Sequence, residues 1–105
     1  MDKEILEQEL QSDAAVMVYF SGNDCGVCNL LKPKVQTLFN ETFPKIKQVY
    51  ISVEEFRKTA IQYNILTIPT LIVFFENKEF LRKSRHIALS EVEVELTRIY
   101  SLFFN

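Results

Sequence analysis

Two short apolar runs, Ala15 to Phe20 and Thr70 to Phe75, constrain what this chain can fold into more than any other feature. Each suits one β-strand buried on both faces, because a strand with water on one side would alternate apolar and polar residues. Such strands demand a sheet covered by helices above and below. The remaining segments supply those helices. Residues 3–11 are amphipathic through Ile5, Leu6 and Leu10. From Gly26 to about Asn40, Leu30, Leu31, Val35, Leu38 and Phe39 fall on helical spacing, and Pro33 predicts a kink there.

A second strand is expected over Ile46 to Val53, with Val49, Ile51 and Val53 on one face and Tyr50 on the other. Helical spacing returns from Glu54 to Tyr63, stopped at Asn64. After Thr70 to Phe75, the polar Glu76-Asn77-Lys78 turns into a fourth strand around Glu79 to Lys83, giving an antiparallel hairpin. Ser90 with Glu93 reads as a capping box for a last helix over 91–103, whose inner stripe is Val92, Leu96, Ile99 and Phe103. The order α-β-α-β-α-β-β-α predicts an α/β fold with one mixed four-stranded sheet. Two of its strands are parallel and a C-terminal antiparallel hairpin completes it.

At 105 residues, with 48% apolar and 25% charged residues, a single domain over 1–105 is expected. The net charge of -2 argues against nucleic acid as a partner. The short basic clusters (Lys45 and Lys47; Arg82, Lys83 and Arg85) read as solvated faces. No apolar run approaches the roughly 20 residues of a membrane span. The residues from Met1 do not read as a signal peptide, so the expected location is cytoplasmic. In that compartment two cysteines are not a structural staple, and their spacing asks for a chemical reason.

Cys25-Gly26-Val27-Cys28 lies between the first strand and its helix. A sulfur at a helix N-terminus meets unpaired N–H groups and the positive end of the dipole, which favours the thiolate. Cys28, at i+3, shares its face. The expected chemistry is attack by Cys25 on a disulfide, resolution by Cys28, and no cofactor beyond a redox-active Cys25–Cys28 disulfide. Gly26 would let a substrate backbone approach. Asn23 or Asp24 is a candidate helix cap, and Asp24 also opposes a neighbouring thiolate by its charge. Two other readings stand beside this one. Two chains could pool four thiolates around a metal, or the cysteines could be plain buried hydrophobes. His86 reads as an exposed histidine at a sheet edge. Leu102-Phe103-Phe104 would leave an apolar patch for a partner or a dimer, although a monomer is the simpler expectation.

Strand, C-x-x-C, helix with an internal proline, strand, helix, Ile68-Pro69-Thr70, hairpin and helix together resemble the thioredoxin family. The likeness runs from about residue 14 to 103. Its motifs are Cys25-Gly26-Val27-Cys28, Pro33 five positions on, and Tyr63 through Thr70. The resemblance implies a thioredoxin-like fold, Cys25 as nucleophile, Cys28 as resolving thiol, and a cis Pro69 beside the pair. It also implies that backbone at Ile68 pairs with protein disulfide substrates, and that a flavin-dependent thioredoxin reductase donates electrons. Departures from the family pattern are Asp24 for a Trp, Val27 for a Pro, Tyr19 for a buried Asp, Tyr50 for its Lys partner and Ile87 for a Gly. A helix at 3–11 also replaces an N-terminal strand. A phenol titrates near pH ~10, so Tyr19 cannot serve as a carboxylate base at neutrality. The reading is a protein-disulfide reductase; the alternatives are a non-catalytic protein-binding module of the same fold and the metal-bridged dimer.

Overall fold

A computed structural model describes residues 1–104. In chain order they form α1 (Lys3–Ser12), β1 (Ala15–Ser21), α2 (Gly26–Thr42), β2 (Lys47–Ser52), α3 (Arg57–Gln62), β3 (Thr70–Phe75), β4 (Lys78–Ser84) and α4 (Leu89–Phe104). The four strands make one sheet of order β2-β1-β3-β4. β1 and β2 are parallel, joined across α2, and the other two pairings are antiparallel. The two continuous apolar runs become the two central strands, buried along their length, as their composition requires.

Alternation along β1 divides the core. Ala15, Met17 and Tyr19 point to one face, where Val35 and Phe39 of α2 and Val92 and Leu96 of α4 meet them. Val16, Val18 and Phe20 point to the other, against Leu6 and Leu10 of α1. α3 lies beside α1, where the Thr59 hydroxyl donates to the Met1 carbonyl.

Turn chemistry follows local sequence. Asn64 ends α3 with a φ of 58°, and the Ile65 N–H reaches back to the Ala60 carbonyl at 2.9 Å. Glu76 and Asn77 both have positive φ (51° and 64°), the backbone of a tight two-residue hairpin turn. α2 continues through Pro33 to Thr42.

Two helix starts differ from expectation. α3 begins at Arg57, and residues 53–56 form turns. Phe56 is held in a non-helical conformation with its side chain against the α1 face, and the Glu54 carboxylate is drawn away to the Asn23 N–H. α4 begins at Leu89, where the Ala88 carbonyl accepts from Glu91 and Val92. Ser90 is therefore already inside the helix and cannot be its N-cap. At the far end, Phe104 joins the core by stacking on Tyr100 at 4.9 Å. Phe103, expected on the inner stripe, is 40% exposed, with its ring 5.0 Å from that of the core residue Phe75.

Candidate active site

β1 delivers the chain to the site. At its end the Ser21 carbonyl accepts from Val53 N–H, Gly22 is buried, and Asn23-Asp24 turn the chain into α2. The residue that caps α2 is Cys25: its Sγ accepts from the Cys28 N–H at 3.2 Å, and its carbonyl takes the first helical bond from Asn29 at 3.1 Å. This corrects the expectation of an Asn23 or Asp24 cap, since Asp24 stands exposed one residue too early. The sulfur occupies the place that a serine or aspartate oxygen takes at other helix starts. A thiolate there gains from the same N–H and from the helix dipole.

Cys25 and Cys28 form a disulfide, with Cα atoms 5.2 Å apart. Cys28 is 1% exposed, while Cys25 is partly open to solvent. Their environments differ because α2 turns Cys28 inward onto the core and leaves its cap at the surface.

Beneath the pair lies Tyr19. Its hydroxyl donates to the Cys28 carbonyl at 2.9 Å. Burial pushes this phenol up to about 12, so it holds its proton at neutral pH. Tyr50, in register with Tyr19 on β2, meets it edge-on at 5.8 Å and donates to Gln48; it too is pushed up to about 12, chiefly by burial. The Lys32 ammonium lies 5.1 Å from the Tyr50 ring centre.

The segment before β3 forms the opposite wall. The Ile68–Pro69 peptide is cis and Pro69 is buried. Ile68 sits over the cysteine loop, so that a Cβ on Gly22 would lie 2.6 Å from its Cδ1 and 3.0 Å from a Glu54 oxygen. Among the hydrogen bonds of the described residues, none uses the Ile68 N–H or carbonyl. That backbone is available for pairing. Gly26 faces open space, with no atom within 4 Å of where a Cβ would stand. Val27 (58% exposed), Leu30 (74%) and Leu66 (91%) add an apolar margin to the exposed surface.

Sequence reasoning overlooked three features. Gly22 is one of only two glycines and directly follows a buried strand, which was a usable signal. Glu54, 31 positions from Asn23, braces the cysteine loop through that N–H at 3.0 Å; nothing local foretold it. His86 is exposed as expected, yet with Arg85, Ile87 and Ala88 it lines an open groove of about 360 Å³ whose other wall is Val27 and Leu31. A larger hollow, between β4 and α4, is lined by Lys83, Ser90, Glu91, Val94 and Glu95 and contains no cysteine.

With this geometry in hand, the likeness to known proteins is specific. The family model described as Thioredoxin matches residues 1–95. Thioredoxin-like protein YdfQ of Bacillus subtilis is 28% identical over 98 residues, covering 93% of this chain and 87% of that one. A thioredoxin of Rickettsia prowazekii is 34% identical over 73 residues, 70% of each chain. Among solved structures, thioredoxin 1 of the thermophilic eubacterium Thermosipho africanus superposes with a TM-score of 0.76 at 28% identity. That match covers 86% of this chain and 99% of the other.

Proposed function

The chain belongs to the thioredoxin family of thiol–disulfide oxidoreductases, and on that premise we propose that it reduces protein disulfides, with Cys25 as nucleophile and Cys28 as resolving thiol. One observation carries the assignment of roles. Cys25 caps α2 with its sulfur toward the Cys28 N–H and toward solvent, whereas Cys28 is 1% exposed. The accessible, dipole-stabilised sulfur is the better attacking group.

In the reaction, the Cys25 thiolate attacks one sulfur of the substrate disulfide. A Cys25–substrate mixed disulfide forms and the other substrate sulfur leaves as a thiolate. Cys28 loses its proton and attacks Cys25 Sγ, closing the Cys25–Cys28 disulfide and releasing the second substrate thiol. Two electrons pass from the protein dithiol to the substrate. The Cys pair is itself the redox group, without a bound cofactor. A dithiol-restoring reductase of the flavin-dependent thioredoxin reductase class returns the electrons, in a reducing, cytoplasmic setting.

Binding is shared by both walls. The unpaired Ile68 backbone offers a donor and an acceptor to an extended substrate segment, beside Pro69. Val27 supplies apolar contact, and Gly26 leaves room for the substrate backbone. Asp24, exposed next to Cys25, tunes the thiolate by its charge. No helix among the described residues is long and apolar enough to cross a membrane.

The test is intermediate trapping with a disulfide-bonded protein substrate. Cys28→Ser should accumulate a mixed disulfide through Cys25, and Cys25→Ser should form none. Limiting alkylation of the reduced parent should label Cys25 first. Turnover retained by Cys25→Ser would refute the assignment.

A further inference from the structure

The basic side chains over residues 82–86 divide into paired and unpaired ones among the described residues. Arg82 is paired with Glu79 at 2.9 Å and Lys83 with Glu95 at 2.8 Å. Arg85 and His86 are exposed, and among the described residues neither belongs to an ion pair.

Their place is fixed by backbone. The Arg85 N–H donates to the Pro69 carbonyl at 2.9 Å, and a φ of 63° at Arg85 turns the chain sharply after β4. The bond ties this loop to the wall that carries Ile68. The same turn sets Arg85 and His86 in the groove whose apolar surface is Val27, Leu31, Ile87 and Ala88. Val27 lies between the two cysteines in sequence, two residues from Cys25, so this lining residue ties the groove to the first turn of α2.

The acids near the cysteine loop are not among the residues lining this groove. Asp24 is exposed in that loop, and the Glu54 carboxylate holds the Asn23 N–H near Gly22 and Ile68. In a chain of net charge -2, Arg85 thus brings to an otherwise largely apolar groove a positive charge that is in no ion pair among the described residues.

We infer that this groove selects among disulfide substrates, favouring segments that place an acidic side chain beside an apolar one on the Arg85 side of the attacked cysteine. The inference rests on the reductase reading above. Acidic groups there gain attraction from Arg85, and basic groups meet repulsion. Screening confines the effect to within about 8 Å at physiological salt, so it acts only on substrate groups that come close to the Arg85 guanidinium. The redox step is unchanged: the Cys25–Cys28 dithiol gives two electrons to the peptide disulfide, which leaves as two thiols.

The test uses four disulfide-linked peptide dimers with one apolar core sequence, carrying Glu or Lys either two positions before or two positions after the cysteine. Turnover is followed with dithiothreitol as reductant. In one of the two placements, kcat/KM should be about fivefold higher for Glu than for Lys, a ratio typical of a partly exposed charge pair. High salt should shrink that ratio, Arg85→Gln should bring it near one, Arg85→Glu should invert it, and Arg85→Lys should restore it. Arg85 is an exposed side chain whose backbone makes the loop bond, so these variants keep the fold's contacts. Glu/Lys ratios within twofold of one at both placements, or a ratio that Arg85→Glu leaves unchanged, would overturn the inference while leaving the reductase reading intact. Failure of the parent to turn over any of the four peptides would remove the reductase reading and this one with it.

Discussion

The two faces of the sheet are built from one strand yet serve different ends. On the α1 side, Val16, Val18 and Phe20 meet Leu6, Leu10, Val49, Ile51 and Ile72, an apolar contact surface under a ten-residue helix and a six-residue one. On the α2 and α4 side, Met17 and Tyr19 meet Val35, Phe39, Val92 and Leu96 under helices of 17 and 16 residues. Only this second face sends a hydrogen bond from the strand to the cysteine helix, through the Tyr19 hydroxyl. The comparison teaches that one face holds the sheet while the other both holds it and positions the thiols.

Stability should respond equally on the two sides. Phe20→Ala and Phe39→Ala each remove a fully buried ring and should cost about 3–5 kcal/mol in denaturant unfolding. A much smaller loss for Phe20→Ala would mean that the α1 side is a cover and not a core.

Chemistry should respond on one side alone. A phenol pushed up to about 12 cannot take the proton that the proposed resolving step removes from Cys28. Tyr19→Asp, measured on folded protein, should speed the resolving step by ~10²-fold at neutral pH in stopped-flow release of the mixed disulfide. No gain would identify another group as the base.

The two glycines of the site sharpen the contrast between packed and open positions. Gly22→Ala would push a methyl into Ile68 and the Glu54 carboxylate, and should cost about 1–3 kcal/mol. Gly26→Ala meets open space and should raise stability by about 0.4–1 kcal/mol. Thermal melts of the two variants should move in opposite directions.

The remaining effect is alkaline. Tyr19 and Tyr50 titrate near 10 when unfolded and near 12 in the fold, so between those values the folded chain binds more protons. Their contribution to stability is present below pH 10 and is lost as pH rises toward 12. Urea midpoints should fall over that window, and the fall should be shallower in Tyr19→Phe and Tyr50→Phe. Tyr63, on the α1 side, is pushed in the same direction by burial, so Tyr63→Phe should add to the flattening.

Much of this was legible in the sequence, because the signals were local. Continuous apolar runs announced the central strands, Asn64 the helix stop, and Glu76-Asn77 the hairpin turn. The position of Cys25-Gly26-Val27-Cys28 between strand and helix announced the chemistry, since a helix start supplies its N–H groups wherever it occurs. Capping was misjudged twice, at Asp24 and at Ser90. In both cases a polar residue with the right chemistry stood close to, but not at, the position where the backbone began its first turn.

By itself, then, the sequence determined the order of elements, the strands buried on both faces and the pair of thiols at a helix start. Each depends on residues within a turn or a strand of one another. Only tertiary structure decided that Tyr19 reaches the Cys28 carbonyl, that Ile68 and Glu54 close over Gly22, and that Arg85 stands beside Val27. Those contacts join residues brought together by strand register and by the return of distant loops, and no periodicity along the chain encodes where two such segments will meet.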